Sequence, residues 1–218
     1  MAGGATPPAG RRLAMFPLGT VLFPGGILPL HIFESRYRRM MDDCLEAEGT
    51  FGVVLISRGS EVGGDDQRVG VGTEARIEEA SRFPDGRWAV IASGTRRIAV
   101  ESWLPDDPYP LAVVRTVPAA ALAVDPDALD QATAAVRRAR GLLSELGQVP
   151  ARDDSPRPPT ADDPEAPIWE LCASAPLGAL DRQRLLEIDD ATERVGALRE
   201  LMQLVAEDLH RLLAEGSA

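Results

Sequence analysis

Residues 16–34 read Phe16-Pro-Leu-Gly-Thr-Val-Leu-Phe-Pro-Gly-Gly-Ile-Leu-Pro-Leu-His-Ile-Phe-Glu34, a run of short apolar pieces cut at close intervals by Pro17, Gly19, Pro24, Gly25, Gly26 and Pro29. The prolines keep the connections extended and non-helical, and the glycines permit tight turns. No membrane span survives this punctuation, because a span needs roughly 18 uninterrupted apolar residues. The paired Arg11 and Arg12 look like the start of a twin-arginine export signal. No small-residue cleavage site follows, so the stretch is expected to be folded structure.

Working outward, Tyr37, Met40, Met41, Cys44 and Leu45 recur at helical spacing behind Ser35, a residue able to cap, and Gly49 lies just past the end. That spacing predicts one helix with a single apolar face. Around it the pattern is of strands. Leu13–Phe16 and Val21–Phe23 are short apolar pieces, Phe51–Ser57 is a buried-strand run, and Gly72–Phe83 turns through Pro84, Asp85 and Gly86 into Arg87–Ser93 as a hairpin. Arg97–Leu104 and Leu111–Val117 follow across a loop at Pro105–Pro108. Six or seven short strands at this spacing predict a closed or nearly closed sheet, since closure removes exposed edges.

After Pro118 the period changes. Asp125 with Pro126 starts a helix whose stripe is Leu129, Thr133, Val136, Leu143 and Leu146, ending at Gly147. Residues 148–165 are proline-rich and acidic and read as a solvated linker. Pro167 opens a helix through Ile168, Trp169, Leu171 and Cys172, and Leu180–Ile188 gives another. Asp190 with Glu193 resembles a capping box ahead of the longest helix, striped by Val195, Leu198, Met202, Val205, Leu209 and Leu212. The expected organisation is α+β: a frayed terminus at 1–10, a strand-rich domain at 11–118 with one inserted helix, and a helical subdomain at 119–218 forming a small bundle.

The cations decide which chemistry is excluded. All 23 are arginine, against 34 acids, for a net charge of −11. A P-loop needs a lysine to reach the phosphates, and a Ser-Lys dyad needs one as base, so both are ruled out. No G-x-S-x-G elbow accompanies His31 or His210. Cys44 and Cys172 read as packed thiols, and these four residues lack the close pairing of a zinc site, so no metal and no cofactor is expected. Neighbouring acids such as Asp42 and Asp43 diverge on a helix and are read as solvated. Two cysteines far apart do not make a disulfide framework, which favours a reducing cytoplasm. Residues 1–118 hold 13 arginines against 15 acids and residues 119–218 hold 10 against 19, so the second half repels polyanions and nucleic acid is a disfavoured partner.

The opening stretch, Tyr37 in the following helix, Phe51–Ser57, Val69-Gly-Val-Gly-Thr73 with Ala75 and Ile77, the Asp85–Gly86 turn, Gly94-Thr-Arg-Arg-Ile98, Tyr109-Pro-Leu-Ala112 and the helical Leu180–Glu187 follow one another in an order that resembles the N-terminal substrate-binding domain of Lon proteases, especially its single-domain bacterial versions. The resemblance implies a PUA-like β-barrel followed by helices, and a non-catalytic module for unfolded or tagged protein segments. Its partners would be protein or peptide clients and a separate ATP-dependent protease, with no membrane. Phe33, Glu34, Tyr37 and Arg97 are the candidate substrate-binding residues, since apolar groups and arginine dominate interface free energy. Arg96 and Arg97 are expected ahead of a strand, pairing with Glu34 or facing a bound chain; His31, Glu34 and Arg36 are expected as a polar cluster at the barrel mouth. Two alternatives remain open: RNA binding through Arg36, Arg38 and Arg39, and a small-ligand sensor with a pocket at the barrel mouth, with which Trp88, Trp103 and Trp169 are compatible although core filling is their expected role.

Overall fold

The computed structural model describes residues 10–58, 67–119, 124–148 and 164–216. Most of the expected frayed terminus, and residues 149–163 of the expected linker, lie outside them. Six strands are described, β1 (Arg11–Leu18), β2 (Ile27–Ile32), β3 (Thr50–Arg58), β4 (Gln67–Arg82), β5 (Trp88–Leu104) and β6 (Leu111–Thr116), and five helices, α1 (Ser35–Glu46), α2 (Pro126–Glu145), α3 (Ala166–Ser174), α4 (Ala179–Glu187) and α5 (Ala191–Gly216). The class is α+β with a mixed sheet, in which β1 runs parallel to β3 and antiparallel to β6. Among the described residues no helix is long and apolar enough to cross a membrane.

The strands follow the order β2-β5-β4-β3-β1-β6, and β6 pairs back onto β5. Five strands therefore form a closed circuit of pairings, and β2 stands outside it on β5. Closure depends on β5 being one strand of 17 residues where sequence reading expects two. Trp88–Ala99 pair with β4, and Ile98–Leu104 pair with β6. Glu74 faces Arg96 while Ala75 faces Gly94, so Thr95 is an extra residue, and its hydroxyl donates to the Glu74 carbonyl at 3.0 Å. Such a bulge bends the strand and raises its twist, which carries it from one neighbour to the next. The Gly94–Thr95 signal marks a bend inside a strand. Arg96 and Arg97 accordingly lie in mid-strand.

By density of backbone contact the chain parts into two units. One takes residues up to Thr20 together with Pro29–Val117, and the other takes Val21–Leu28 together with residues from Pro118 onward. In the first, Leu13, Met15, Val54, Ile98, Ala112 and Val114 form a buried cluster, with Trp103 partly buried against it. Gly72 is required by close approach: a Cβ there would run into the Val53 carbonyl oxygen across the ladder. Helix α1 buries Tyr37, Met40, Met41 and Cys44, while Leu45 is exposed and falls off the apolar face. Its N-cap is Glu34 with no side-chain cap, so Ser35 is the first helical residue. Gly49, at φ +67°, donates its N–H to the Cys44 carbonyl at 2.9 Å and closes the helix.

In the second unit, Val21, Leu22 and Phe23 are buried without being a strand. Phe23 stacks on Trp169 with ring centroids 5.7 Å apart, so its apolar character is satisfied by a helix face and not by a ladder. The Asp125 carboxylate caps α2 by accepting the Asp127 N–H at 3.1 Å, and Asp190 accepts the Glu193 N–H at 2.8 Å at the start of α5. The buried face of α2 is Ala132, Val136, Ala139 and Leu142, rotated from the expected stripe. Small residues admit the neighbouring helix, and the larger Leu143 and Leu146 flank a cluster of Leu142, Ala206 and Leu209. On α5, Val195, Leu198, Met202 and Leu209 are buried, but Leu212 is exposed.

Glu165, expected in a solvated linker, is buried. Its carboxylate accepts from Arg194 Nη1 at 3.0 Å, while Arg194 Nη2 donates to the Ile188 carbonyl at 2.7 Å and the guanidinium lies 3.8 Å over the Trp169 ring. Arg194 is fully buried, so each of these contacts replaces lost hydration. Arg194→Ala is expected to cost about 3–5 kcal/mol by removing the arginine partner of the buried Glu165. Urea titration checks this, and Arg194→Met combined with Glu165→Leu is expected to recover most of the loss.

Candidate protein-binding site

Strand β2 presents two chemically distinct faces. Leu28 and Ile32 are buried, Pro29 and His31 are exposed, and Phe33 continues the exposed parity one residue past the strand at 58 % accessibility. Pro29 is tolerated because β2 ends the sheet order and has only β5 beside it. The exposed face continues across the sheet through the cross-strand pairs Ile91 with Glu79 and Ala89 with Ser81. Together these residues line an open depression of about 500 Å³, mainly apolar, with Glu79 on its far side. The alternation in Ile27–Phe33 carries this face in the sequence, but the proline in its middle hides the strand.

The four sequence candidates separate by burial. Phe33 is exposed, and the neighbouring Glu34 is partly exposed, accepting from Arg36 Nε at 3.1 Å. Tyr37 is 3 % accessible and packs on Phe16 at 4.2 Å between centroids, covered by the Arg36 guanidinium at 4.6 Å. It sits on the buried side of α1, so it supports the surface from below and does not face a partner. Arg97 is also 3 % accessible, held in the middle of β5. The expected polar cluster consists of Glu34 with Arg36, while His31 faces the outer depression.

Arg96, expected near Glu34, instead donates to Glu74 at 2.7 Å, and Arg11 reaches the same carboxylate at 2.6 Å. Glu74 is 2 % accessible, a position that nothing in the sequence distinguishes from other strand glutamates. Burial pushes its pKa up, but hydrogen bonds and charge from Arg96 and Arg11 outweigh that and hold it below the ordinary 4.5. Three more arginines of the first unit are similarly occupied: Arg39 pairs with Asp43 at 3.0 Å, Arg82 with Asp42 at 3.6 Å, and Arg87 with Asp85 at 2.7 Å.

The thiols are packing groups. Burial, with a smaller contribution from Asp43, pushes Cys44 up to about 12, and burial takes Cys172 to about 12. A thiol with so little thiolate near neutrality is a poor nucleophile. Tyr109 is likewise raised to about 12, by burial and by donating to Asp43 Oδ2 at 2.9 Å, which favours the neutral phenol. Among the described residues no group of three or more His, Cys, Asp or Glu is placed to hold a metal ion.

A closed circuit of strands with an appended edge strand, followed by helices and offering an open apolar depression, has the form of a binding module. The sequence profile of the family described as ATP-dependent protease La (LON) substrate-binding domain matches residues 12–203. The chain belongs to this family, and the matched domain is non-catalytic. It is 27 % identical over 213 residues to a Lon protease 2 of Herpetosiphon aurantiacus, covering 94 % of this chain and 25 % of that protein. To a Lon protease of Cytophaga hutchinsonii it is 27 % identical over 193 residues, covering 84 % and 22 %. The chain thus spans about a quarter of the length of these curated relatives. A crystal structure of a Lon N-terminal domain protein from Xanthomonas campestris superposes with TM-score 0.63 at 28 % identity, over 86 % of this chain and 96 % of that one. The N-terminal domain of a Mycobacterium avium complex Lon protease shares the fold, with TM-score 0.57 at 17 % identity over 88 % and 98 %.

The lowered pKa of Glu74 fixes a pH dependence. Its pairing with Arg96 and Arg11 stabilises the fold above the ordinary 4.5, and that contribution is lost as pH falls through the lowered value. Glu74→Gln is expected to be less stable than the parent near neutrality, with the gap closing in acid. Denaturant titrations across that range measure it, and a gap independent of pH would refute the assignment.

Proposed function

We propose that this chain is a non-catalytic module that binds unfolded or tagged segments of other proteins and hands them to a separate ATP-dependent protease in the cytoplasm, without a cofactor. The observation that carries the reading is the family match over residues 12–203. The lysine-free sequence supports the non-catalytic part, since Walker-type hydrolysis and a Ser-Lys dyad each require that side chain. On this reading the closed strand circuit of 11–118 is a PUA-like β-barrel with α1 inserted, and the helices of 119–218 are a small bundle. Partner contact centres on Phe33 and Glu34, with Tyr37 and Arg97 supporting from the core.

The RNA alternative draws less support from the arginines than their number suggests. Arg36 and Arg39 are each committed to an acid of the same segment, so two of the three cluster arginines have their charge balanced locally. The small-ligand alternative draws no support from two of the tryptophans, since Trp169 is buried under Arg194 and Trp103 lies under Arg68 at 4.6 Å.

The purified chain is expected to bind a labelled, permanently unfolded protein in preference to its folded form. Phe33→Asp is expected to weaken that binding about tenfold, because a central exposed aromatic commonly anchors an interface. Fluorescence anisotropy reads the affinity, and circular dichroism verifies an unchanged fold. If the unfolded protein is not bound by the parent chain, the module reading fails; if Phe33→Asp binds like the parent, the surface is wrongly placed.

A further inference from the structure

Resting on the binding-module reading above, we infer that the outer face of β2, β5 and β4 selects extended polypeptide segments in which an apolar side chain stands two residues from an arginine or lysine, with Glu79 reading the cation. Three observations on this face converge. First, β2 ends the strand order, so its far edge faces no other strand and its backbone groups there offer a template for an added strand. Pro29 agrees with this, because proline in a sheet sits where its missing N–H points away from the neighbouring strand. Pro29 and His31 therefore turn the same side to the open edge. A segment anchored there and running on over β5 crosses the roughly 10 Å to β4 in about three extended residues, and its alternate side chains fall onto the face.

Second, that face has an apolar floor. Pro29, Ala89 and Ile91 line the depression of about 500 Å³, and Ile91 is 40 % accessible in the middle of a strand. Phe33 extends the apolar surface beyond the end of β2. A β-branched residue left this open on a strand has no core role there, since its neighbours Val90 and Ala92 carry the inward side of β5.

Third, the face carries an uncompensated negative charge. Glu79 stands directly across from Ile91 in the ladder. The adjacent Glu78 accepts from the Ser93 hydroxyl, but Glu79 has no ion-pair partner among the described residues, and Arg76, further along β4, makes none with it. Several other acids of this unit are matched to arginines: Glu34 to Arg36, Asp43 to Arg39, Asp42 to Arg82, and Glu74 to Arg11 and Arg96. A carboxylate without an ion pair beside an apolar depression complements a cation two residues along an extended chain, the spacing that returns a side chain to the same face. The net charge of −11 acts in the same direction at long range, drawing basic segments in and opposing a second copy of this chain as the occupant.

The test uses a labelled peptide with the centre Val-Leu-Arg-Leu-Val between Gly-Ser flanks, and its twin with glutamine for arginine. The full chain is expected to bind the arginine peptide about fivefold more tightly at low salt, the range of an exposed ion pair. Glu79→Gln is expected to abolish the preference without weakening the glutamine twin, and Ile91→Asp to weaken both. Glu79 is exposed, and circular dichroism monitors both variants for folding. A preference that persists in Glu79→Gln overturns the assignment, as does equal binding of the two peptides to the parent chain, and both outcomes leave the binding-module reading standing. If neither peptide binds, that reading falls as well. Sedimentation that reveals a dimer dissolved by Ile91→Asp would give the face to a second copy and overturn the inference.

Discussion

β5 has to serve three neighbours at once, and the first unit is organised around how it does so. A strand has two edges, yet β5 pairs with β2, β4 and β6. It manages this by length and by bending: its early residues pair with β4, its late residues with β6, and the two ladders overlap at Ile98 and Ala99. The bend falls where Thr95 is extra, next to the buried Glu74 whose carboxylate ties Arg96 on β5 to Arg11 on β1. The ion cluster thus joins strands from two sides of the circuit at the place where the ladder is least regular. A buried carboxylate without those cations would carry an unpaid desolvation cost at that point.

Closure also decides where this unit can meet other molecules. Strands within the circuit spend their edges on one another, while β2 is added to β5 from outside. The residues that make β2 an acceptable end strand are the ones that shape its surface: Pro29 withholds a backbone donor, and His31 and Phe33 are turned outward. Beneath this surface the Phe16–Tyr37 contact and the buried face of α1 hold the segment after β2 in place. Exposed face and scaffold are therefore continuous in sequence across residues 27–44.

Much of this was legible in the residues, and the misses have physical causes. Periodicity located α1 and the helices after Pro118, because helical spacing and the caps at Asp125 and Asp190 are local signals. Burial is not local. Val21–Phe23 looks like a strand because it is apolar, but Phe23 is satisfied by Trp169, far away in sequence. The stripe on α2 was misplaced because alanine carries too little hydrophobic signal to mark a close helix contact. Tyr37 and Arg97 have the side chains of interface residues, and only their neighbours reveal that both are enclosed. Phe33, a large aromatic beside a charged residue, lies at the surface. The outer face it belongs to needs the register of β4 against β5, which composition does not encode.

The absence of lysine has a structural side beyond the chemistry it excludes. Arg194 stacks on Trp169 while donating to Glu165 and to the Ile188 carbonyl, three demands that a planar, forked and weakly hydrated cation meets together. An ammonium would satisfy the charge but not the stacking, and would lose more hydration on burial. Arginine also serves the surface of the first unit, where several pair with acids on the same or an adjacent element. Against that background one unpaired carboxylate beside an apolar depression has more influence than the large formal charge alone indicates. Interactions between exposed charges fade within about 10 Å at moderate salt, so a bound segment senses its immediate neighbours far more than the distant acidic residues.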